Sequence, residues 1–294
     1  MLNHKNMNPD KPDRVVILGA AGFVGHAATN KFKLEATNVL PLSRTDINLL
    51  DVNAKIKLEK LLKPSDTLVI ASAEAPCKNA EMLIRNIQMI TTVCEVITKT
   101  QPAQVIYISS DAVYADSNKP LKECSSAEPG SFHGIMHLTR EIMLKEVIKE
   151  NLAILRPTLI HGKGDPHNGY GPNQFRRLAE AKEDIVLFGN GEELRDHIHI
   201  DDVAELVRLM AWHNSDGILN AATGKVISFK EIAEMIKRIY KQSINIQPSP
   251  RIGSMPHNGY RAFNPKLTYD AFPNFQYSLL EDSIIKIFQN KKPR

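Results

Sequence analysis

The sequence has few cysteines, few aromatics, little charge imbalance and no long apolar run. Three cysteines, Cys77, Cys94 and Cys124, are odd in number and scattered, and none sits in a Cys-x-x-Cys pair. That excludes a disulfide framework and fits free thiols in a reducing compartment. No stretch approaches the roughly 20 apolar residues that a bilayer-spanning helix needs, so no membrane segment is expected. Lys and Arg number 37 against 33 Asp and Glu, a net charge of +4. With aromatics at 6% and no dense Lys/Arg face interleaved with them, the case for a nucleic-acid partner fails. The basic end Lys291-Lys292-Pro293-Arg294 reads as a short solvated terminus. Residues 1–13 are polar, without the apolar stretch of a signal peptide or anchor, and are expected to be a disordered lead-in. A cytoplasmic location is the expectation.

What is present is ordinary globular material. Hydrophobic residues make up 43% of the 294, enough for one large domain or two closely joined ones. Strand-like and helix-like segments alternate through the first half. Strands are expected at 15–18, 39–42, 67–71, 105–109 and 153–155, with helices at 25–32, 54–62, 81–99 and 134–149 between them. Continuous apolar strands separated by amphipathic helices predict a doubly wound parallel sheet covered on both faces, with right-handed crossovers. From about Gly162 to Pro172 Gly and Pro become dense, and the rhythm turns irregular. Residues 14–165 are therefore assigned to a dinucleotide-type domain and 166–294 mainly to a smaller, interleaved α/β lobe. In that lobe the spacing predicts helices at 174–181, 202–212, 229–240 and 279–289 and a strand at 185–188. Ser228 and Glu231 have the spacing of a capping box.

The segment Val15-Val16-Ile17-Leu18 runs straight into Gly19-x-x-Gly22-x-x-Gly25. A buried strand ending in such a loop and continuing into a helix lets backbone approach a pyrophosphate at a helix N-terminus. Four further motifs follow in order: Ser109-Ser110-Asp111-Ala112-Val113-Tyr114, Leu155-Arg156-Pro157-Thr158-Leu159-Ile160-His161-Gly162, the run Gly189-Asn190-Gly191 to Arg195-Asp196-His197-Ile198-His199-Ile200-Asp201-Asp202-Val203-Ala204, and Asn220-Ala221-Ala222-Thr223-Gly224. Together, over residues 14 to 290, they resemble the extended short-chain dehydrogenase/reductases of the NAD(P)-dependent epimerase/dehydratase family, which act on nucleotide sugars. The resemblance implies a Rossmann-type fold, a homodimer formed through the two long helices, and a nucleotide-sugar substrate. It also implies cofactor contacts from Gly19, Gly22, Phe23, Val24, Gly25, Asp51, Ala71, Ser72, Ala73, Asn86 and Pro157. An acidic residue about 20 positions after the loop would hold an NAD ribose. Here Ser43-Arg44 stands there, with no carboxylate before Asp46, and a guanidinium suits a 2′-phosphate. NADP is favoured, with NAD possible.

The catalytic positions depart from the family. Ser110 occupies the family's serine position and Asp111 follows it, but the Tyr-x-x-x-Lys pair is replaced by His133 and His137, in a register set by Gly134 and Glu141. Three readings stand. His133 is a general acid/base, an imidazole near pKa 6.5 needing no lysine, with His137 orienting it or touching the cofactor ribose. Alternatively the protein is a catalytically silent dinucleotide-binding subunit. Lastly, His133 and His137, four residues apart on one helix face, are half of a metal site completed by His161 or His167. For the substrate, the resemblance places Asn173, Gln174 and Phe175 beside the nucleotide and Arg195 and Arg251 on its diphosphate.

Overall fold

The computed structural model describes residues 2–241 and 243–290; the basic end at 291–294 lies outside them. The first half of the chain builds β1 (Asn3–His4), β2 (Val15–Leu18), α1 (Phe23–Leu34), β3 (Val39–Leu42), α2 (Ala54–Leu61), β4 (Thr67–Ile70), α3 (Ala80–Thr100), β5 (Gln104–Ile108), α4 (Phe132–Val147) and β6 (Leu152–Pro157). The second half adds β7 (Leu159–His161), α5 (Pro172–Ala181), β8 (Ile185–Phe188), β9 (Leu194–His199), α6 (Ile200–Trp212), β10 (Ser215–Ala221), β11 (Val226–Ser228), α7 (Phe229–Tyr240), β12 (Ile246–Ser249), β13 (Tyr260–Arg261), α8 (Lys266–Ala271) and α9 (Leu280–Gln289).

The main sheet has seven strands in the order β1-β10-β6-β5-β4-β2-β3, parallel except for β1. Every residue of β2, β4 and β5 is buried, because helices cover both faces. One face packs Phe32 of α1 and Val203, Val207 and Met210 of α6. The other packs Leu58 of α2, Ile90 and Val93 of α3 and Leu144 of α4. Successive strands are laid down on opposite sides of β2, β3 to one side and β4 to the other. That switch point opens a crevice beyond the carboxyl ends of β2 and β4, where such sheets bind ligands. The smaller lobe joins β7, β11 and β13 to β9, and β12 to β8. Its core is Phe175, Phe229, Ile236 and Ile284. The capping box at Ser228 forms, with the Glu231 carboxylate accepting from the Ser228 amide and hydroxyl.

One expectation is corrected. The start of the chain is ordered: β1 pairs with β10, Leu2 is buried in the core, and the His4 ring bonds the Ser215 hydroxyl and the Ala271 carbonyl. Polar composition concealed this, because the segment is held by long-range partners rather than by its own periodicity. The sheet's last parallel strand, β10, was not foreseen, and with α6 it is drawn from beyond residue 166. Its sequence, Ser-Asp-Gly-Ile-Leu-Asn-Ala, is poor in β-branched residues, and its strand state comes from the partner β6.

Candidate active site

The glycine loop sits at the switch point. Gly19 turns with φ +86°, and a Cβ there would stand 2.7 Å from the Ser72 backbone. At Gly25 a Cβ would reach 2.1 Å from the Gly19 carbonyl oxygen, so the first turn of α1 can close on the loop only without a side chain. α1 starts with Gly22 as its N-cap, no side-chain cap and no acidic residue in its first turn. Its amides thus face the crevice without an internal anion, which fits a pyrophosphate. Phe23 and Val24 begin this helix, and Ala71, Ser72 and Ala73 follow β4 directly opposite. Pro157 closes β6, paired with Ala221. Asn86 is fully buried and binds the Glu74 amide and the Glu74 and Met82 carbonyls, so it shapes the loop after β4 from beneath.

The turn after β3 carries the features that distinguish the two nicotinamide cofactors. The Asp46 carboxylate accepts from the Ser43 amide at 2.8 Å and the Ser43 hydroxyl at 2.6 Å, and these bonds hold it below the usual carboxylate range. Ser43 is thereby engaged, while Arg44 is exposed. Asp51 is bound by the Asn48 amide.

The two histidines project from the first turns of α4, which is pinned at both ends. Ser131 caps it, and Gly134 lies so close to Ala112 that a Cβ would come within 2.1 Å of that carbonyl oxygen. Glu141 forms a buried bidentate pair with Arg156 of β6, at 2.8 and 2.5 Å, and accepts from Ser109 at 2.6 Å. The residues that set the motif register therefore clamp the helix that aims the histidines.

His133 is half-buried; its Nδ1 accepts from the Cys77 amide at 3.3 Å, leaving the proton of the neutral ring on Nε2. Burial lowers its pKa and His167 adds to that, against Asp111. His137 is buried, edge-to-face against His133 with ring centroids 4.7 Å apart. Its Nδ1 lies 2.7 Å from the Tyr107 hydroxyl. Burial raises the Tyr107 pKa and takes that of His137 well below 6.5, with His133 and Arg140 contributing. Both groups are therefore neutral, and the ring and the phenol share one hydrogen bond at Nδ1. Arg140 is fully buried over the Tyr107 ring, its guanidinium donating to the Ser72 carbonyl at 2.7 Å, and among the described residues it has no carboxylate partner. Arg140 thus stands about one helical turn beyond His137 and ties α4 to the segment after β4.

Ser110 is nearly buried at the end of β5, its oxygen accepting from the Ala112 amide. Asp111 is paired with buried Arg261 of β13 at 3.0 Å, which ties it to the lobe. Tyr107, Arg140 and Arg261 escaped the sequence reading. The only signal for them was a tyrosine in an otherwise aliphatic strand and a lone arginine on an apolar helix face.

On the substrate side the structure separates the expected residues. Asn173 is buried, accepting from the Gly162 amide and donating to the Ile160 carbonyl. Phe175 is core rather than rim, packed against Tyr170 and Phe229. Only Gln174 of the three is not buried. Arg195 and Arg251 do converge, both on Glu193, at 3.8 and 2.5 Å. His161 and His199 meet edge-to-face with ring centroids 5.1 Å apart, but no group of three metal-ligating side chains exists among the described residues. A groove of about 660 Å³ between α1, α6 and residues 163–166 contains none of the catalytic candidates.

The family model for the NAD dependent epimerase/dehydratase family matches residues 15–222. GDP-L-fucose synthase 1 of Arabidopsis thaliana is 23% identical over 266 residues, 78% of this chain and 79% of that relative. The fold is similar to that of UDP-glucose 4-epimerase from Thermotoga maritima, with TM-score 0.83 and 19% identity over 95% of this chain and all of the other. It is also similar to a GDP-L-fucose synthetase from Naegleria fowleri bound to NADP, with TM-score 0.80 and 17% identity over 97% and 95% of the two chains. The match spans the glycine loop, the switch point, α4 and all six parallel strands of the main sheet, reaching just past β10: this chain belongs to the NAD-dependent epimerase/dehydratase family.

Proposed function

We propose that the protein is a nicotinamide-dinucleotide oxidoreductase that epimerises or reduces a carbon of a nucleotide sugar, with His133 as the proton carrier. The observation that carries this is the state of His133. Its Nδ1 is occupied by the Cys77 amide, its ring is held by a doubly clamped helix, and burial keeps it neutral near pH 7. In that tautomer Nε2–H donates to the sugar oxygen; to take the hydroxyl proton the ring shifts to its Nδ1–H tautomer, giving up the 3.3 Å Cys77 bond so that the Nε2 lone pair faces the substrate, and Ser110 polarises the same oxygen. When bound, the dinucleotide supplies the acceptor or donor of two electrons. With Tyr107 donating to its Nδ1, the neutral His137 ring presents Nε2–H toward the cofactor ribose. Exposed Arg44 supports NADP, whereas the carboxylate of Asp46 in the same turn supports NAD; the charge and exposure of Arg44 favour NADP. A cytoplasmic homodimer is part of the same reading, supported by the exposed Ile84 of α3 and Phe132, Ile135 and Ile142 of α4. No described helix is long and apolar enough to cross a membrane.

The test is to follow nicotinamide absorbance while UDP- and GDP-linked sugars and their keto forms are offered. Turnover lost in His133→Phe supports the reading. A second reading, a silent dinucleotide-binding protein, is favoured by one observation: position 137 holds a neutral ring hydrogen-bonded to Tyr107 where the family has a lysine. Cofactor binding with no absorbance change for any sugar nucleotide selects it.

A further inference from the structure

The loop between β8 and β9 brings a third charge to the two arginines assigned to the substrate diphosphate. Glu193 is only 5% exposed and lies between them. Its Oε1 is 2.5 Å from Nη1 of Arg251 and its Oε2 is 3.8 Å from Nε of Arg195. Arg251 also donates to the Phe188 carbonyl at 3.0 Å and lies 3.7 Å from Glu192. Yet Nε of Arg195 and Nε of Arg251 are both buried with no hydrogen-bond acceptor among the described residues. The carboxylate therefore neutralises part of the pair's charge and takes Nη1 of Arg251 but leaves both Nε donors unmet. Arg261, the other cation nearby, is already answered by Asp111 at 3.0 Å and Asp116 at 3.3 Å, with His257 beside it. Glu193 holds Nη1 of Arg251 and the Phe188 carbonyl holds Nη2, so a phosphate that clasps this end of the guanidinium needs an N–H that the carboxylate already occupies, and two anions at that range repel.

We propose that Glu193 is an internal competitor for the phosphate site: a diphosphate enters only by taking Arg251 from Glu193, so Glu193 sets how strongly the site holds the substrate's anionic group. The inference rests on the reading of Arg195 and Arg251 as the substrate's phosphate ligands, and it names a specificity-determining residue of that site. When the phosphate engages, the loop 189–193 carries the displaced carboxylate outward. Gly189 and Gly191, at φ +59° and +71°, give that loop its shape. The site then favours ligands whose phosphates neutralise both arginines at once over those that offer a single weak acceptor.

The test is titration calorimetry of the full chain with UDP, GDP and inorganic pyrophosphate, the last removing any dependence on the base. Glu193→Gln keeps the shape and removes the charge. It is expected to bind at least one of the three about tenfold more tightly than the parent protein. The gain is expected to vanish in Glu193→Gln/Arg251→Gln, since the competition passes through Arg251. Unchanged or weaker binding in Glu193→Gln, or absence of binding of all three ligands by both proteins, overturns the inference. If Glu193→Gln does not fold, Glu193→Asp, which withdraws the carboxylate by one methylene, carries the same test with the same two outcomes. The titration involves no hydride chemistry. Loss of the redox reading with a tightened Glu193→Gln leaves the competitor in place, and turnover with unchanged binding overturns the competitor alone.

Discussion

At the scale of single residues, the structure turns a puzzling substitution into a defined proton arrangement. His133 and His137 are not equivalent: the first receives a backbone amide at the mouth of the site, and the second is a buried ring anchored by a phenol. His133→Asn is expected to lower kcat roughly 10²- to 10⁴-fold while leaving cofactor binding intact, measured by turnover and by cofactor fluorescence. The parent's kcat/KM is expected to fall as pH drops, because the base must be neutral. With its pKa lowered from 6.5, the midpoint of that fall lies below 6.5. An acid limb above 6.5, or one unchanged in His133→Asn, counts against the assignment. Arg140 supplies a second prediction. It opposes the protonation of His137 from a fully buried position without a carboxylate partner among the described residues. In Arg140→Met the imidazole of His137 is expected to titrate at higher pH than in the parent, observed by NMR of labelled histidine. The folded state should be no less stable, since a buried unpaired charge is exchanged for an apolar chain.

At the scale of elements, the motifs prove to be mostly joints. Glu141 and Arg156 fasten α4 to β6. Asp196 of the Arg-Asp motif accepts from Thr158, Thr223 and Gly224, fastening β9 to the Asn220–Gly224 segment. Breaking the first joint with Glu141→Gln leaves Arg156 buried and half-paired, an expected loss of about 3–5 kcal/mol in denaturant unfolding. At position 197 the family pattern has phenylalanine where this chain has a buried histidine, edge-on to Phe229 with Nε2 unpartnered. Burial takes the His197 pKa down to about 3, so between pH 6.5 and about 3 the unfolded chain holds a proton that the folded one refuses. Stability from this group is complete above 6.5 and is lost as pH falls. His197→Phe is therefore expected to raise the thermal midpoint, and to raise it more at pH 5 than at pH 8. Asp196 works oppositely: with its pKa pushed up to about 6, its folded form gains a proton as pH falls toward 3.8. The variant should leave that slope exposed. A midpoint gain equal at the two pH values contradicts the buried-neutral assignment. The alternating helices and strands of the first half were legible because each element carries its own apolar period. β1, β10 and the lobe's short strands other than β8 were not, because their partners rather than their composition make them strands.

At the scale of the whole molecule, the proposed function places the cofactor at the sheet's switch point beside α4 and the substrate phosphates at the lobe. A dinucleotide that binds only the folded chain should raise its stability, by about 2.7 kcal/mol at a hundredfold excess over Kd. NADPH is expected to shift the thermal midpoint more than NADH, and Arg44→Ala to remove the difference; a larger shift with NADH assigns the turn after β3 to Asp46 instead. The sequence by itself determined the parallel core, the glycine loop and the register of α4. Those depend on local periodicity, on sites where a Cβ would collide with backbone, and on fixed spacings along one helix. Only the tertiary structure decided that Tyr107 and Arg140 stand behind His137, that Asp111 belongs to Arg261, that Phe175 is core, and that Glu193 lies between Arg195 and Arg251. Most of those pairs are separated by tens of residues along the chain, and even neighbouring charges meet only when a loop turns them together, so burial and charge balance there are properties of the fold. The glycine loop that marks a cofactor crevice was visible in a dozen residues, whereas the protonation state of the histidines beside it required every element packed against them.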